Sequence, residues 1–299
     1  MMNFRQLMAT FPDENACREY LTMRRWPDGP RCPRCGKSET VYNIALPWKW
    51  ECSNKDCRKG HAYRFSLTAG TIFENTKYSL DLWFKVLWTI LTAKKGISSL
   101  QLRRMYFEET TSLRTAWYMA HRLRAAMYDE DFKQLMGIVE IDEAYIGGKQ
   151  SNRHAKDREK YRGRGSANTG KTTVIGAISR KGSIVCKVIE NAAHQTINGF
   201  VRQMVSEKVE LIATDSAAAY TWLGMDYRHE TVDHKAGEYV RGEIHTNSIE
   251  SFWALLKRGV IGTYHHVSRK YLPLYLAEFQ FRHNHRDNPD IFGEVIAGC

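Results

Sequence analysis

Apolar residues change their spacing along the chain, and each change predicts a different kind of secondary structure. Residues 1–27 predict a short helical lead-in, and residues 31–75 contain short apolar and aromatic runs typical of β-strands. From Leu80 onward the apolar residues recur every three or four positions, which predicts an amphipathic helix. The same spacing predicts helices at residues 98–106 and 112–127. We therefore expect a small β-rich segment followed by helices.

After Phe132 the pattern predicts alternating strands and helices. The strands are predicted at residues 138–142, 172–179, 183–189 and 210–215. The helices are predicted at residues 195–205, 246–257 and 270–281. The run at 210–215 is almost continuously apolar, which is typical of a strand buried on both faces of a sheet. This alternation predicts an α/β fold for the second part of the chain.

Chain length and hydropathy indicate the number of domains and argue against a membrane or secreted protein. The 299 residues suggest about two domains, at roughly 150 residues each. The best apolar run, residues 82–93, is interrupted by Lys85 and is shorter than the roughly 18 residues of a membrane-spanning helix. Residues 1–15 lack the apolar stretch of a signal peptide. We therefore expect a cytoplasmic protein with no membrane partner.

The charge balance points to an anionic partner. The net charge is +11, and nucleic acid is the commonest partner of so basic a protein. Residues 1–136 contribute +8 and residues 149–171 contribute +6, so the rest of the chain is slightly acidic. We expect the surface that attracts anions to lie in the N-terminal half and in one loop.

Four of the seven cysteines form two closely spaced pairs, Cys32 with Cys35 and Cys52 with Cys57. The spacings C-x2-C and C-x4-C are typical of a tetrahedral Zn²⁺ site with a structural role. Gly36 can adopt the positive φ that lets backbone N–H groups reach the thiolates. The alternatives are four incidental cysteines or two disulfides, but an odd cysteine count favours a reduced protein with a metal site.

Residues 98–127 resemble a helix-turn-helix. The second helix would present Arg114, His121, Arg122 and Arg124 to DNA, since a recognition helix needs basic and polar side chains on one face and an apolar opposite face. The alternative is a plain helical hairpin with solvated arginines.

The glycine-containing stretch 149–171 is a candidate for a mobile loop that grips the DNA backbone. Its candidate contacts are Lys149, Arg153, Lys160, Arg162, Arg164 and Lys171. The alternative is a solvated, disordered loop with no ligand.

Three acids are candidates for a catalytic metal site. Asp142 and Asp215 each end a predicted strand, and Glu250 lies on a predicted helix, with Lys257 seven residues later on the same helix face. Acids placed in this way can converge on two Mg²⁺ ions, which prefer carboxylate oxygens. Clustered carboxylates repel one another, so we expect at least one of these carboxyl groups to have a raised pKa.

Glu143 is expected to point away from Asp142 because side chains alternate along a strand. The chain has 33 acidic residues, so other trios remain possible.

The chain resembles the DDE transposases of the ISXO2-like group, in the IS1595 family of insertion sequences. Three strings carry most of the resemblance: IDEAYIGGK at 141–149, TDS at 214–216, and HTNSIESFWALLKRG at 245–259. The match continues through GTYHHVS at 262–268, and the cysteine pairs with TAGTIF at 68–73 match the zinc ribbon of the family.

The resemblance implies an RNase H-like fold, a mixed sheet with helices on both sides. It implies hydrolysis of double-stranded DNA at the terminal inverted repeats, followed by attack of the freed 3′-hydroxyl on target DNA. Asp142 and Asp215 would hold two Mg²⁺ or Mn²⁺ ions. Glu250 is the expected third ligand, with Asn247 as the alternative because family members can carry Asn there, and Lys257 would contact a phosphate. Pairing of two DNA ends implies a homodimer or a larger assembly.

Four regions follow from these patterns. They are a helical lead-in at 1–30, a zinc ribbon at 31–78, a helix-turn-helix-like region at 79–134 and a catalytic domain at 135–299.

Two other functions fit the same sequence features. One is an RNase H-like nuclease or resolvase that cuts without joining, and the other is a DNA-binding regulator with an inactive catalytic domain.

Overall fold

The computed structural model describes residues 1–58, 60–129, 132–148, 155, 170–215, 218–233 and 236–299. These residues form two compact units, Met1–Met127 with Asp287–Cys299, and Tyr128–Arg286. Among the described helices, none combines the length and the apolar character needed to cross a membrane.

The first unit begins with two capped helices and a small sheet. The elements are α1 (Phe4–Thr10), α2 (Glu14–Arg25), β1 (Val41–Asn43), β2 (Lys49–Cys52) and β3 (Tyr63–Ser66). The strands form an antiparallel sheet in the order β1-β2-β3. Trp26, Trp50 and Phe65 pack together with ring centroids 5.1 to 6.1 Å apart. This aromatic cluster is the small core of the β-rich segment that the sequence predicts.

Helices complete the first unit. They are α3 (Leu80–Thr92), α4 (Ser99–Tyr106), α5 (Leu113–Ala125) and the C-terminal α10 (Ile291–Ala297). Ser79, Ser98 and Ser112 each cap the helix that follows by accepting a hydrogen bond from its first turn. Phe292 of α10 packs against Phe84 of α3, with ring centroids 5.4 Å apart. The last thirteen residues therefore belong to the first unit, whereas the sequence predicts one domain over 135–299.

The second unit is built on a mixed sheet with the strand order β6-β5-β4-β7-β8. The strands are β4 (Ile138–Ile146), β5 (Thr172–Ser179), β6 (Ile184–Ile189), β7 (Leu211–Asp215) and β8 (His229–Val232). Strands β4, β5 and β6 are antiparallel neighbours, whereas β7 is parallel to β4 and to β8. The helices are α6 (His194–Met204), α7 (Leu223–Asp226), α8 (Asn247–Gly259) and α9 (Leu272–Asn284).

Both faces of this sheet are covered by helices. Val139 and Ile141 of β4 pack in a core with residues of α6 and α7. Ala144 and Ile146, which point to the other face, pack in a second core with residues of α8 and α9. Because side chains alternate along a strand, Asp142 lies on the face that α8 covers.

Two strand predictions differ from the structure. The predicted strand at 138–142 continues to Ile146, because the whole of β5 pairs with β4 and this pairing reaches Ile146. The strand β8, with the sequence HETV, is not predicted by the sequence because its polar residues show no alternating apolar pattern. Its neighbour β7 supplies the pairing that makes it a strand.

Candidate functional site

Asp142 and Asp215 are brought together by the register of two parallel strands. The pairing of β4 with β7 ends at Glu140 opposite Ala213. Asp142 and Asp215 each lie two residues beyond that pair, so both side chains point to the same face of the sheet. The pairing of the two strands ends at this point, and the negative charge of Asp215 acts on the carboxyl group of Asp142.

The acidic residues and one lysine influence each other electrostatically. Burial raises the pKa of Asp142 to about 6, while a hydrogen bond from the backbone N–H of Glu143 lowers it. The negative charges of Asp215 and Glu250 raise the pKa of Asp142 further, and the positive charge of Lys257 lowers it. The four charged residues predicted for the catalytic site therefore lie in one cluster, which we call the acidic cluster (Asp142, Asp215, Glu250 and Lys257).

Helix α8 presents its functional side chains on its exposed face. Asn247, Glu250 and Lys257 are exposed there, while the opposite face of α8 is buried against the sheet. The Thr246 hydroxyl donates a hydrogen bond of 2.9 Å to Glu250 Oε1, which orients that carboxylate. Asn247 lies in the same first turn and on the same face as Glu250, so the geometry keeps both as candidates for the third ligand.

The acidic cluster is suited to hard cations by its chemistry. Carboxylate oxygens from a buried strand, a second strand and a helix are the ligand type that Mg²⁺ prefers. In the described part of the chain, the four zinc-ribbon cysteines are the one group of metal-ligating side chains whose atoms all lie within 4.8 Å of one another. The acidic cluster is therefore more open than a closed ligand cage.

Glu143 lies on the opposite face of β4, as the alternation of side chains predicts. It interacts with Tyr220, which is buried in the core on that face. Burial raises the pKa of Glu143 to about 7, the interaction with Tyr220 lowers it, and the charges of Asp142 and Asp215 raise it. Glu143 therefore responds to the acidic cluster through space without joining it.

Glu140, the other acid on this face of β4, is not among the residues predicted from the sequence. Its side chain is completely buried and accepts hydrogen bonds from the first turn of α8. The signal was present in the chain: a charged residue between Val139 and Ile141 interrupts an apolar strand, and a buried carboxylate requires partners.

The four predicted zinc ligands meet at one point. The sulfur atoms of Cys32 and Cys57 are 3.8 Å apart, and those of Cys35 and Cys52 are 3.9 Å apart. Tetrahedral coordination with Zn–S bonds of about 2.3 Å places the sulfur atoms about 3.8 Å apart. None of the four is in a disulfide, and these separations are far longer than the S–S bond of about 2.05 Å that two disulfides would need. The cluster thus has the dimensions of a structural zinc site.

The backbone around the first cysteine pair favours a thiolate. Gly36 has a φ of +71°, as predicted, and its N–H donates to the carbonyl of Cys32 over 2.8 Å. The backbone N–H of Lys37 and the side chain of Asn54 lower the pKa of Cys35 to about 6. The thiolate is the form that binds metal. The turn therefore prepares Cys35 for coordination.

The three arginines predicted to contact DNA on α5 lie in different environments. Arg114 is exposed in the first turn. Arg122 donates hydrogen bonds to the carbonyls of Thr71 and Glu74 within the first unit. The Arg124 side chain is only 1% exposed and lies beside His121, which is also buried. Because DNA cannot reach a buried side chain, neither Arg124 nor His121 is an accessible DNA contact, contrary to the sequence-based expectation.

Most of the predicted basic loop lies outside the described residues. This applies to Lys149, Arg153, Lys160, Arg162 and Arg164. Lys171 is described, and its side chain lies beside Gly147 at the end of β4.

Comparisons with known proteins agree with the two-part organisation. The model of the ISXO2-like transposase domain matches residues 134–284, and that of the transposase zinc-ribbon domain matches residues 12–60. A protein of Halobacterium salinarum, described as an uncharacterized protein in transposable element ISH50, is 29% identical over 286 residues. The alignment covers 91% of this chain and 92% of that protein. These domains are those of a nucleic-acid-processing enzyme that binds DNA, and the chain belongs to the ISXO2-like transposase family of IS1595 insertion sequences.

Proposed function

We propose that this transposase cleaves double-stranded DNA at the terminal inverted repeats of its insertion sequence and joins the 3′-hydroxyl ends to target DNA. The observation that supports this most strongly is the acidic cluster, in which Asp142 and Asp215 lie just beyond the end of the β4–β7 pairing and interact electrostatically. The mixed sheet with helices on both faces is also in keeping with an RNase H-like catalytic domain.

In this proposal Asp142, Asp215 and Glu250 hold two Mg²⁺ or Mn²⁺ ions. Two such ions would activate the attacking oxygen and stabilise the leaving oxygen during in-line displacement. Asp142 and Asp215 supply oxygens from the sheet, and Glu250 supplies oxygens from α8, where Thr246 orients it. Asn247 is the alternative third ligand.

Lys257 is proposed to contact a phosphate beside the cut. It is exposed on the same face of α8 as Glu250, and its charge already acts on Asp142. A cation in that position would stabilise the negative charge that builds up on the phosphate during displacement.

The first unit is proposed to bind the DNA ends. The zinc ribbon holds a segment too small for a large core, and the exposed Arg114 on α5 is the accessible arginine of the proposed recognition helix. The basic stretch 149–171 would add contacts to the DNA backbone. Since two ends must be cut together, we propose that the active form is a dimer or a larger assembly.

The proposal predicts that a single substitution can abolish DNA cleavage without abolishing DNA binding. Changing Asp215→Asn should abolish Mg²⁺-dependent end cleavage, because the amide cannot supply the charge that holds the ions, while binding to a terminal-repeat duplex remains. A gel assay with labelled duplex measures both. Asp226→Asn is the matched control, since Asp226 is an acid of the same unit, paired with Arg202 at 2.8 Å.

The control variant should cleave at the wild-type rate. Cleavage by Asp215→Asn at the wild-type rate would contradict the assignment of the acidic cluster. A strand-transfer assay with pre-cleaved 3′-hydroxyl ends completes the test, since cleavage without joining would identify a nuclease or resolvase.

A further inference from the structure

The first turn of α8 is capped by a residue from the sheet. Glu140 Oε2 accepts hydrogen bonds from the backbone N–H groups of Ser248, at 2.8 Å, and Ile249, at 3.1 Å. Glu140 Oε1 accepts a third from the Ser248 hydroxyl at 2.9 Å. Because the N–H groups of the first helical turn have no partner within the helix, a carboxylate at this point is well placed by hydrogen bonding and by the helix dipole.

Arg180, the residue directly after β5, binds the same carboxylate. Its Nε donates to Glu140 Oε1 over 2.8 Å, and its terminal nitrogen donates to the carbonyl of His245 over 3.1 Å. Arg180 therefore compensates the negative charge of Glu140. It also holds the segment that leads into α8 in place through its hydrogen bond to the His245 carbonyl. The Glu140 side chain is 0% exposed, so these partners replace the water that it has lost.

This arrangement changes what the N-cap residue of α8 can do. A threonine at the N-cap ordinarily accepts a hydrogen bond from the first turn of its own helix. Thr246 makes no such bond, and its hydroxyl instead donates to Glu250 at 2.9 Å. Glu140 performs the capping, which leaves Thr246 to orient Glu250.

Glu140 and Asp142 lie two residues apart on the same strand and on the same face. One strand therefore carries the first acid of the acidic cluster and also the anchor of the helix that carries the third. We propose that Glu140 is a positioning residue, which sets Glu250 relative to Asp142 for metal binding. This inference rests on the proposed function of the acidic cluster.

Another buried glutamate provides a matched control. Glu278 of α9 is also 0% exposed and is paired with Arg282 at 3.1 Å. It accepts hydrogen bonds from the Tyr264 hydroxyl at 3.1 and 3.2 Å. Glu140→Gln and Glu278→Gln therefore both remove a buried charge from an ion pair in the same unit, but only the first alters the cap of α8.

The experiment uses the whole 299-residue chain with zinc retained. Mn²⁺ affinity is measured by isothermal titration calorimetry, and end cleavage is measured for kcat and KM. Glu140→Gln should weaken Mn²⁺ binding by roughly 10- to 100-fold, the range typical for residues that orient metal ligands. We expect kcat to fall by a similar factor with an unchanged KM for DNA, while Glu278→Gln keeps the wild-type Mn²⁺ affinity.

Hydrogen exchange of the first turn of α8 reports the cap independently of metal and DNA. Its amides should lose protection in Glu140→Gln and keep it in Glu278→Gln. If Glu140→Gln does not fold, Glu140→Asp retains the charge while shortening the reach by one methylene group, and it should show a smaller loss of Mn²⁺ affinity.

The outcomes separate the two proposals. A wild-type protein that neither binds Mn²⁺ nor cleaves DNA overturns the proposed function and this inference with it. A wild-type protein that binds and cleaves, together with folded Glu140 variants that have wild-type Mn²⁺ affinity and kcat, overturns the positioning role alone.

Discussion

At the scale of single residues, the acidic cluster has a consequence for stability. The pKa of Asp142 is about 6 in the folded chain, against an ordinary value of 3.8, because burial and neighbouring acids disfavour the charged form. The folded state thus binds this proton more tightly than the unfolded state does. Ionising Asp142 therefore lowers the free energy of unfolding. This loss of stability is absent below about pH 4, grows as the pH rises, and is complete above about pH 6.

Replacing Asp142 by Asn should therefore stabilise the protein at neutral pH in the absence of added divalent cations. A shift of about two pKa units corresponds to at most about 3 kcal/mol, and structural relaxation will reduce that value. Thermal unfolding followed from pH 4 to pH 8 measures the effect. We expect the melting temperatures of the variant and the wild type to converge near pH 4, and an equal difference at all pH values would contradict this explanation.

At the scale of elements, the distance between α8 and the sheet depends on a glycine. Gly176 of β5 pairs with Asp142. A Cβ atom at position 176 would lie 2.7 and 2.8 Å from two ring atoms of Trp253, which is buried on α8. The helix can therefore approach the strand that carries Asp142 because β5 has no side chain at this point.

Gly176→Ala should displace α8 and weaken both stability and cleavage. Overpacking of this kind costs about 1–3 kcal/mol, measurable by denaturant unfolding, and end cleavage should fall because Glu250 moves with the helix. Gly199→Ala is the matched control, since Gly199 lies within α6 with nothing within 4 Å of an added Cβ. It should be neutral or stabilising by about 0.5–1 kcal/mol. Unchanged stability in Gly176→Ala would show that Trp253 can move freely.

The elements also show how far the pattern of residues could predict the fold. Helices α3, α4 and α5 start within one residue of their predicted positions, because serine caps and apolar periodicity act locally. The extension of β4 beyond Asp142 and the strand β8 were not predictable in this way, because both depend on a neighbouring strand.

At the scale of the whole molecule, the chain divides its chemistry between two units. The cysteine cluster lies in the unit Met1–Met127 with Asp287–Cys299, and the acidic cluster lies in Tyr128–Arg286. The soft thiolates suit zinc, and the carboxylates suit magnesium or manganese. Loss of one site should therefore leave the ion preference of the other unchanged.

Cys35→Ser should release zinc and reduce the affinity for a terminal-repeat duplex by roughly tenfold or more, because metal binding contributes directly to the folding of so small a segment. Mn²⁺ binding by the acidic cluster should persist. Metal analysis, calorimetry and a gel shift assay measure the three properties. Cys299→Ser is the control, since Cys299 lies outside the cluster and donates to the Val295 carbonyl. An unchanged zinc content in Cys35→Ser would contradict the zinc site.

The sequence alone was sufficient for the cysteine cluster, for most helices and strands, and for Asp142, Asp215 and Glu250 as candidates. These features depend on short-range spacing and on the chemistry of individual side chains. Only the tertiary structure showed that Arg124 is buried, that residues 287–299 belong to the first unit, and that Glu140 caps α8. Glu140 and Ser248 are 108 positions apart, and no local pattern specifies which distant partner a buried charge will meet. That choice follows from the packing of α8 against the sheet.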